Sequence, residues 1–220
     1  MLGDSQSSNM NQIIPAILPK VQSELNQKAK SVLGLVSHVQ VDVCDGKFVP
    51  SKTAFKELPF LDEIEYELDL MVDQPENRIE EYIDLQPARI IVHLESIQNF
   101  PKIFLALENV RGIIEVGLSV SNDTPDALLE KFIEDCDFVQ FMGIAKIGFQ
   151  GEPFDERVIE RVAYFHRKYP DLPIAVDGSV STETISRLLH AGATRFVCGS
   201  SVFVGGDVGG NIAALEALVV

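Results

Sequence analysis

Positive charge is scarce in this sequence. Eighteen Lys and Arg stand against 33 Asp and Glu in 220 residues, a formal net charge of −15. A field of that sign repels nucleic acid and anionic membrane surfaces, so neither is expected as a partner. It also repels anionic small molecules at long range, which leaves a phosphate only local sites such as backbone N–H groups at a helix start. Cysteine is scarce: Cys44, Cys136 and Cys198 form an odd set without CxxC spacing. That argues against a disulfide framework or a zinc cluster and fits free thiols in a reducing compartment. No apolar run approaches the roughly 20 residues that span a bilayer. The stretch Met1 to Gln12 is polar and lacks the basic start and apolar segment of a signal peptide. We expect a disordered tail over 1–12, one domain over 13–220, and a cytoplasmic location.

What is present is an alternation of short apolar runs and amphipathic segments. Candidate strands are Ile13–Leu18, Val39–Val43, Tyr66–Val72, Arg89–His93, Gly112–Leu118, Phe138–Met142, Pro173–Val176 and Arg195–Cys198. They read as β-branched and nearly continuous, as strands buried on both faces of a parallel sheet do. Helical segments are expected over Pro75–Leu85, Pro125–Ile133, Glu156–Tyr169 and Ser181–Leu189, the last opening on Ser181 and Glu183 as cap residues. Eight such repeats predict an α/β fold of the (β/α)8 TIM-barrel type. The alternative, an open dinucleotide-binding sheet, calls for a glycine-rich turn after the first strand, and Pro19-Lys20 stands there instead.

In a barrel, chemistry sits at the C-terminal ends of the strands. Those positions hold Ala16, Asp42, Asp69, His93, Met142, Asp177 and Gly199-Ser200. One Asp after a strand reads most simply as a helix cap. Three at equivalent strand ends favour a site, because ionised groups are seldom buried unless paired or metal-bound. For His93 a hydrogen bond to substrate or carboxylate and a structural role stand about equal. Met71, Met142 and Cys44 read equally as pocket floor or core. Cys198 reads as a buried strand thiol.

The run Val41-Asp42-Val43-Cys44-Asp45-Gly46-Lys47-Phe48-Val49-Pro50 resembles the ribulose-phosphate 3-epimerase family, in which HVDVMDG is followed by HFVP. The resemblance continues through Asp69-Leu70-Met71-Val72 with Pro75, Val92-His93 with Glu95, Met142 with Gly148-Phe149-Gln150-Gly151, Val176-Asp177-Gly178, and Gly199-Ser200. Six collinear motifs span residues 13 to about 204.

This resemblance implies a phosphate-binding barrel that interconverts D-ribulose 5-phosphate and D-xylulose 5-phosphate by inverting C3. One carboxylate removes the C3 proton and a second returns a proton on the other face. Matched residue by residue, the pair is Asp42 and Asp177. The family's metal shell of His, Asp, His and Asp falls on Gln40, Asp42, Asp69 and Asp177, so both imidazoles are gone. The family's serine near the end of the first strand is Ala16.

Two readings stay open. Three carboxylates and an amide oxygen form an all-oxygen set that suits Mg²⁺ or Mn²⁺ better than Zn²⁺ or Fe²⁺. With no metal, repulsion and desolvation would instead push at least one carboxyl pKa upward. By resemblance, phosphate falls to Gly178, Ser179, Gly199 and Ser200, with Gly148 and Gly151 in the loop that covers the substrate. That loop is one residue longer than the family pattern and has Gln150 for a glycine. The primary expectation is therefore a sugar-phosphate 3-epimerase, an isomerase of the pentose phosphate pathway acting on a small sugar phosphate. The alternative is an impaired family member that binds a sugar phosphate without epimerising it. A decarboxylase or aldolase of related type would carry an Asp-x-Lys-x-x-Asp arrangement, and Val41–Gly46 has no lysine. A homo-oligomer is compatible with the sequence.

Overall fold

The computed structural model of the chain describes residues 11–149 and 151–220. Eight parallel strands close into a barrel in chain order. They are β1 (Gln12–Ile17), β2 (His38–Cys44), β3 (Glu65–Met71), β4 (Arg89–His93), β5 (Glu115–Val120), β6 (Phe138–Met142), β7 (Ile174–Asp177) and β8 (Arg195–Cys198). The helices are α1 (Gln22–Ser31), α2 (Ile79–Ile83), α3 (Phe100–Glu108), α4 (Asp126–Glu130), α5 (Arg157–Lys168), α6 (Ile185–Ala191), α7 (Ser200–Phe203) and α8 (Val208–Glu216). No helix joins β2 to β3; the extended segment 45–64 takes its place, packing Phe55, Leu58 and Leu61 on the core.

Three expectations need correction. β1 starts at Gln12, whose N–H donates to the Thr194 carbonyl at 2.9 Å, so the end of the expected tail belongs to the barrel. Residues 1–10 of that tail, and Gln150, lie outside the described residues. The fifth strand runs from Glu115 to Val120 rather than from Gly112, because Gly112 turns the chain at φ +82°. Ile113 and Ile114 then bond back to Val110 rather than joining the sheet. α6 starts at Ile185, not Ser181: Ser181–Thr184 forms a turn in which Thr184 Oγ1 accepts the Ser181 N–H at 3.0 Å.

The strands also alternate more strictly than their composition suggests. Side chains two apart share a face. In β2, Val39, Val41 and Val43 point outward into the main core while Gln40 and Asp42 point into the barrel; in β3, Tyr66, Leu68 and Leu70 oppose Glu67 and Asp69. The outer layer, between strands and helices, is thus the apolar core, and much of the lumen is polar. At the N-terminal end of the barrel the lumen is closed by charge. Arg89 bonds Glu67 at 3.2 Å and Glu115 at 2.7 Å, and Arg195 bonds Glu115 at 3.1 Å while lying over the Phe138 ring at 4.3 Å. Gly117 leaves room for that ring, since a Cβ there would meet Phe138 at 2.5 Å.

Candidate active site

The polar lumen opens at the C-terminal ends of the strands. Gln40 and Asp42 share the inward face of β2, and Asp177 closes β7 across the barrel. The Gln40 Nε2 group spans that gap, donating to Asp42 Oδ1 and Asp177 Oδ2, each at 2.9 Å. Asp69, opposite Asp42 in the β2–β3 register, is fully buried and turned toward His93, with Nε2 to Oδ1 at 2.9 Å. One oxygen from each of Asp42, Asp69 and Asp177 lies within 4.8 Å of the others.

The electrostatics follow from this crowding. Burial, then the charges of Asp177 and Asp69, push the Asp42 carboxyl well above its usual range, against the opposing Gln40 hydrogen bond. Burial and the Asp69 charge raise Asp177 to about 7, with Gln40 and His93 opposing. Burial disfavours charge on His93, but Asp69 outweighs it through its charge and hydrogen bond, so the imidazole pKa rises. The buried Cys198 thiol is pushed up to about 12, which leaves it protonated and inert.

Above these groups lies an open pocket. Asp42 and Asp177 line it, with Ala16, Met71 and Met142 around them. Its other end is formed by Gly148 and Gly151, by Gly178 and Ser179 after β7, and by Gly199 and Ser200 after β8. Gln40, Asp69 and His93 are fully buried and do not line it; Gln40 holds the lining residues Asp42 and Asp177, and His93 holds Asp69. Cys44 packs with Val49 and Met71, and Lys146 is exposed outside the lining.

Two hydroxyls tie the loop after β6 in place. Ser51 Oγ donates to the Gly148 carbonyl, and Ser179 Oγ donates to the Glu152 carbonyl. The Ser179 hydroxyl proton is therefore committed to the loop, and toward a ligand the residue offers its backbone. It holds a left-handed conformation, φ +54°, beside Gly178 at +101°. Glu152, Phe149 and Ile144 also line the pocket. Sequence reasoning did not single them out, because an irregular loop carries no periodicity to orient a side chain.

The donor set fits a hard divalent cation. Asp69 Oδ2 and Gln40 Oε1 are buried without partners among the described residues, and carboxylate oxygens at this spacing can share one ion. Turning the Gln40 amide over would exchange its two hydrogen bonds for an oxygen facing the same point.

Fold and site together define a (β/α)8-barrel protein with clustered carboxylates at the strand ends. The family described as "Ribulose-phosphate 3 epimerase family" matches residues 12–203, and the chain belongs to it. It is 28% identical to the ribulose-phosphate 3-epimerase of Schizosaccharomyces pombe over 87% of this chain and 86% of that one. To the Bacillus subtilis protein of the same name it is 26% identical, over 88% and 93%. Among solved structures it resembles 3-hexulose-6-phosphate synthase, with a TM-score of 0.71 and 16% identity over 95% of this chain and 100% of that one. That likeness is one of fold. No helix among the described residues is long and apolar enough to cross a membrane.

Proposed function

We propose that the chain is an isomerase that inverts C3 of a ketopentose phosphate, D-ribulose 5-phosphate to D-xylulose 5-phosphate, by proton transfer between Asp42 and Asp177. The observation that carries this reading is the bridge: two carboxyls facing one pocket, joined through the Gln40 amide, both with raised pKa values. Two close carboxylates cannot ionise independently, so the pair titrates in two steps and passes through a state that holds one proton. One member is then a base and the other an acid, which is what inversion through a planar enediolate needs. A carboxyl poised near 7 transfers a proton in either direction with little penalty.

Gln40 keeps the two carboxyls at fixed separation, and His93 holds Asp69 in one orientation. Asp42, Asp69, Asp177 and the Gln40 amide oxygen would hold a divalent ion, Mg²⁺ or Mn²⁺ by their oxygen chemistry. When bound, such an ion supplies a Lewis acid for the substrate oxygens. The backbone N–H groups of the glycine turns after β7 and β8 are the groups available to a phosphate.

The test is C3 proton exchange with solvent deuterium, followed by NMR on D-ribulose 5-phosphate with and without added Mg²⁺ or Mn²⁺. Exchange in the wild type and its loss in Asp42→Asn support the reading. Binding of the sugar phosphate without exchange under any of these conditions would instead assign a binding protein.

A further inference from the structure

The lumen beneath the carboxylates holds a second glutamine that the chemistry above leaves unused. Gln140 lies on the inward face of β6 with Phe138 and Met142, while Val139 and Phe141 on the outward face belong to the apolar core. It is 0% exposed, and among the described residues neither its Nε2 nor its Oε1 has a hydrogen-bond partner. A carboxamide taken out of water without partners is strongly unfavourable, whereas leucine would fill a similar volume without that cost. The sheet shows where a partner stands. Gln140 lies beside Ser119 on β5 and Ala175 on β7, and one inward step up Met142 lies beside Asp177. The Gln40 carboxamide crosses the lumen to this same side, since its Nε2 donates to Asp177 Oδ2 at 2.9 Å. Gln40 Oε1 is also buried without a partner among the described residues. Of the residues flanking the two glutamines, Ala16, Ser119 and Ala175 are small, and Glu67 is drawn away to Arg89 at 3.2 Å. Two amides with open valences thus share one side of the lumen, beside and below Asp177.

A carboxamide carries both a donor and an acceptor, and so does a buried water. We propose that Gln140 is a positioning residue for Gln40, joined to it through one bound water. With Gln40 Nε2 turned to the two carboxyls, the water donates to Gln40 Oε1 and accepts from Gln140 Nε2. With the Gln40 amide turned over to offer Oε1 to a divalent ion, the water accepts from Gln40 Nε2 and donates to Gln140 Oε1. Gln140 serves both orientations, where a side chain with only a donor or only an acceptor would hold one. The second orientation rests on the metal set of the proposed function; the first does not.

Two double-mutant cycles on the full chain test it, pairing Gln140→Leu, or Gln140→Met as the less branched replacement, with Gln40→Leu. In the first, calorimetry with Mn²⁺ is expected to show a roughly tenfold weaker Kd for either Gln140 variant when Gln40 is present, and less than about a twofold change when it is Leu. An unchanged Kd with Gln40 present, or an equal loss in both backgrounds, overturns the proposal. The second cycle needs no metal: urea unfolding is followed with a chelator present. Removing one of two joined amides strands the other, while removing both does not. The Gln140 change should therefore shift the unfolding constant toward the unfolded state at least about tenfold more with Gln40 present than with Leu there, and additivity within about twofold overturns the proposal. If the wild type binds no Mn²⁺, the metal reading fails by itself and the unfolding cycle still decides the role of Gln140. Should neither Gln140 variant fold, crystallographic density of the wild type decides: a water within hydrogen-bond reach of both amides supports the proposal, and Gln140 bonded elsewhere overturns it.

Discussion

Replacing Asp177 by asparagine should make the metal-free protein more stable at pH 8 while leaving it nearly unchanged below pH 4. In the fold, burial and the Asp69 charge raise this carboxyl from an ordinary 3.8 to about 7. Between those values the folded chain holds a proton that the unfolded chain has released. Stability therefore falls as pH rises through this window, with the contribution fully present below 3.8 and lost above 7. At about 1.4 kcal/mol per pH unit the ceiling is about 4 kcal/mol, and the side of Asp177 that faces the pocket brings this to about 2–4 kcal/mol. Asparagine keeps the shape of the protonated acid, so it should recover most of that loss. His38 acts in the opposite sense: burial lowers its pKa from 6.5 to about 4, which favours the fold as pH rises through that range. The difference between the two proteins cancels His38 and reports Asp177 together with the part of the Asp42 shift that its charge causes. Urea unfolding of wild type and Asp177→Asn at pH 4, 5, 6, 7 and 8, with a chelator present, gives that difference directly. A difference that stays flat across the series, or one that favours the wild type at pH 8, would refute the electrostatic account of the site.

Three further outcomes are expected. Added Mg²⁺ or Mn²⁺ should raise the wild-type melting temperature at pH 8 but not that of Asp177→Asn, read by thermal unfolding over a metal titration. His93→Leu should cost about 3–5 kcal/mol by leaving the buried Asp69 carboxylate unpaired. The double change with Asp69→Leu should recover part of this in urea melts. Gly117→Ala should destabilise by about 1–3 kcal/mol, because its methyl would enter the Phe138 ring; a neutral result by calorimetry would mean that the lumen is loosely packed.

The barrel was legible because the outward faces of the strands are β-branched and recur at one strand per unit. What composition could not convey was the lumen. Val39-Gln40-Val41-Asp42-Val43 reads as an apolar run with interruptions, yet each interruption is an inward-facing polar group. The fifth strand was misplaced because Ile113 and Ile114 extend the apolar run across a turn that only the backbone at Gly112 reveals. At the site, Asp42 and Asp177 stand in motifs short enough to recognise. A carboxylate partner for His93 was one of two legible readings, but that the partner is Asp69 was not, since it depends on the register of neighbouring strands: Asp69 lies beside Ile91, which places His93 one step up on the same face. The Gln40 contribution was legible as a position but not as a donor to two carboxyls at once.

The barrel's seam has a practical consequence. Asn11 Nδ2 reaches the Val219 carbonyl at 2.6 Å, so the chain leading into β1 and the residues after α8 lie side by side, at the end of the barrel away from the pocket. A short linker could join them there without crossing the mouth. New ends could then be opened in segment 45–64 near Phe60, which is 91% exposed and belongs to no helix or strand. Such a circular permutant would keep β2 and β7, and with them Asp42 and Asp177, in one closed cylinder. The order in which the chain is threaded could then be varied separately from the geometry of the two carboxyls.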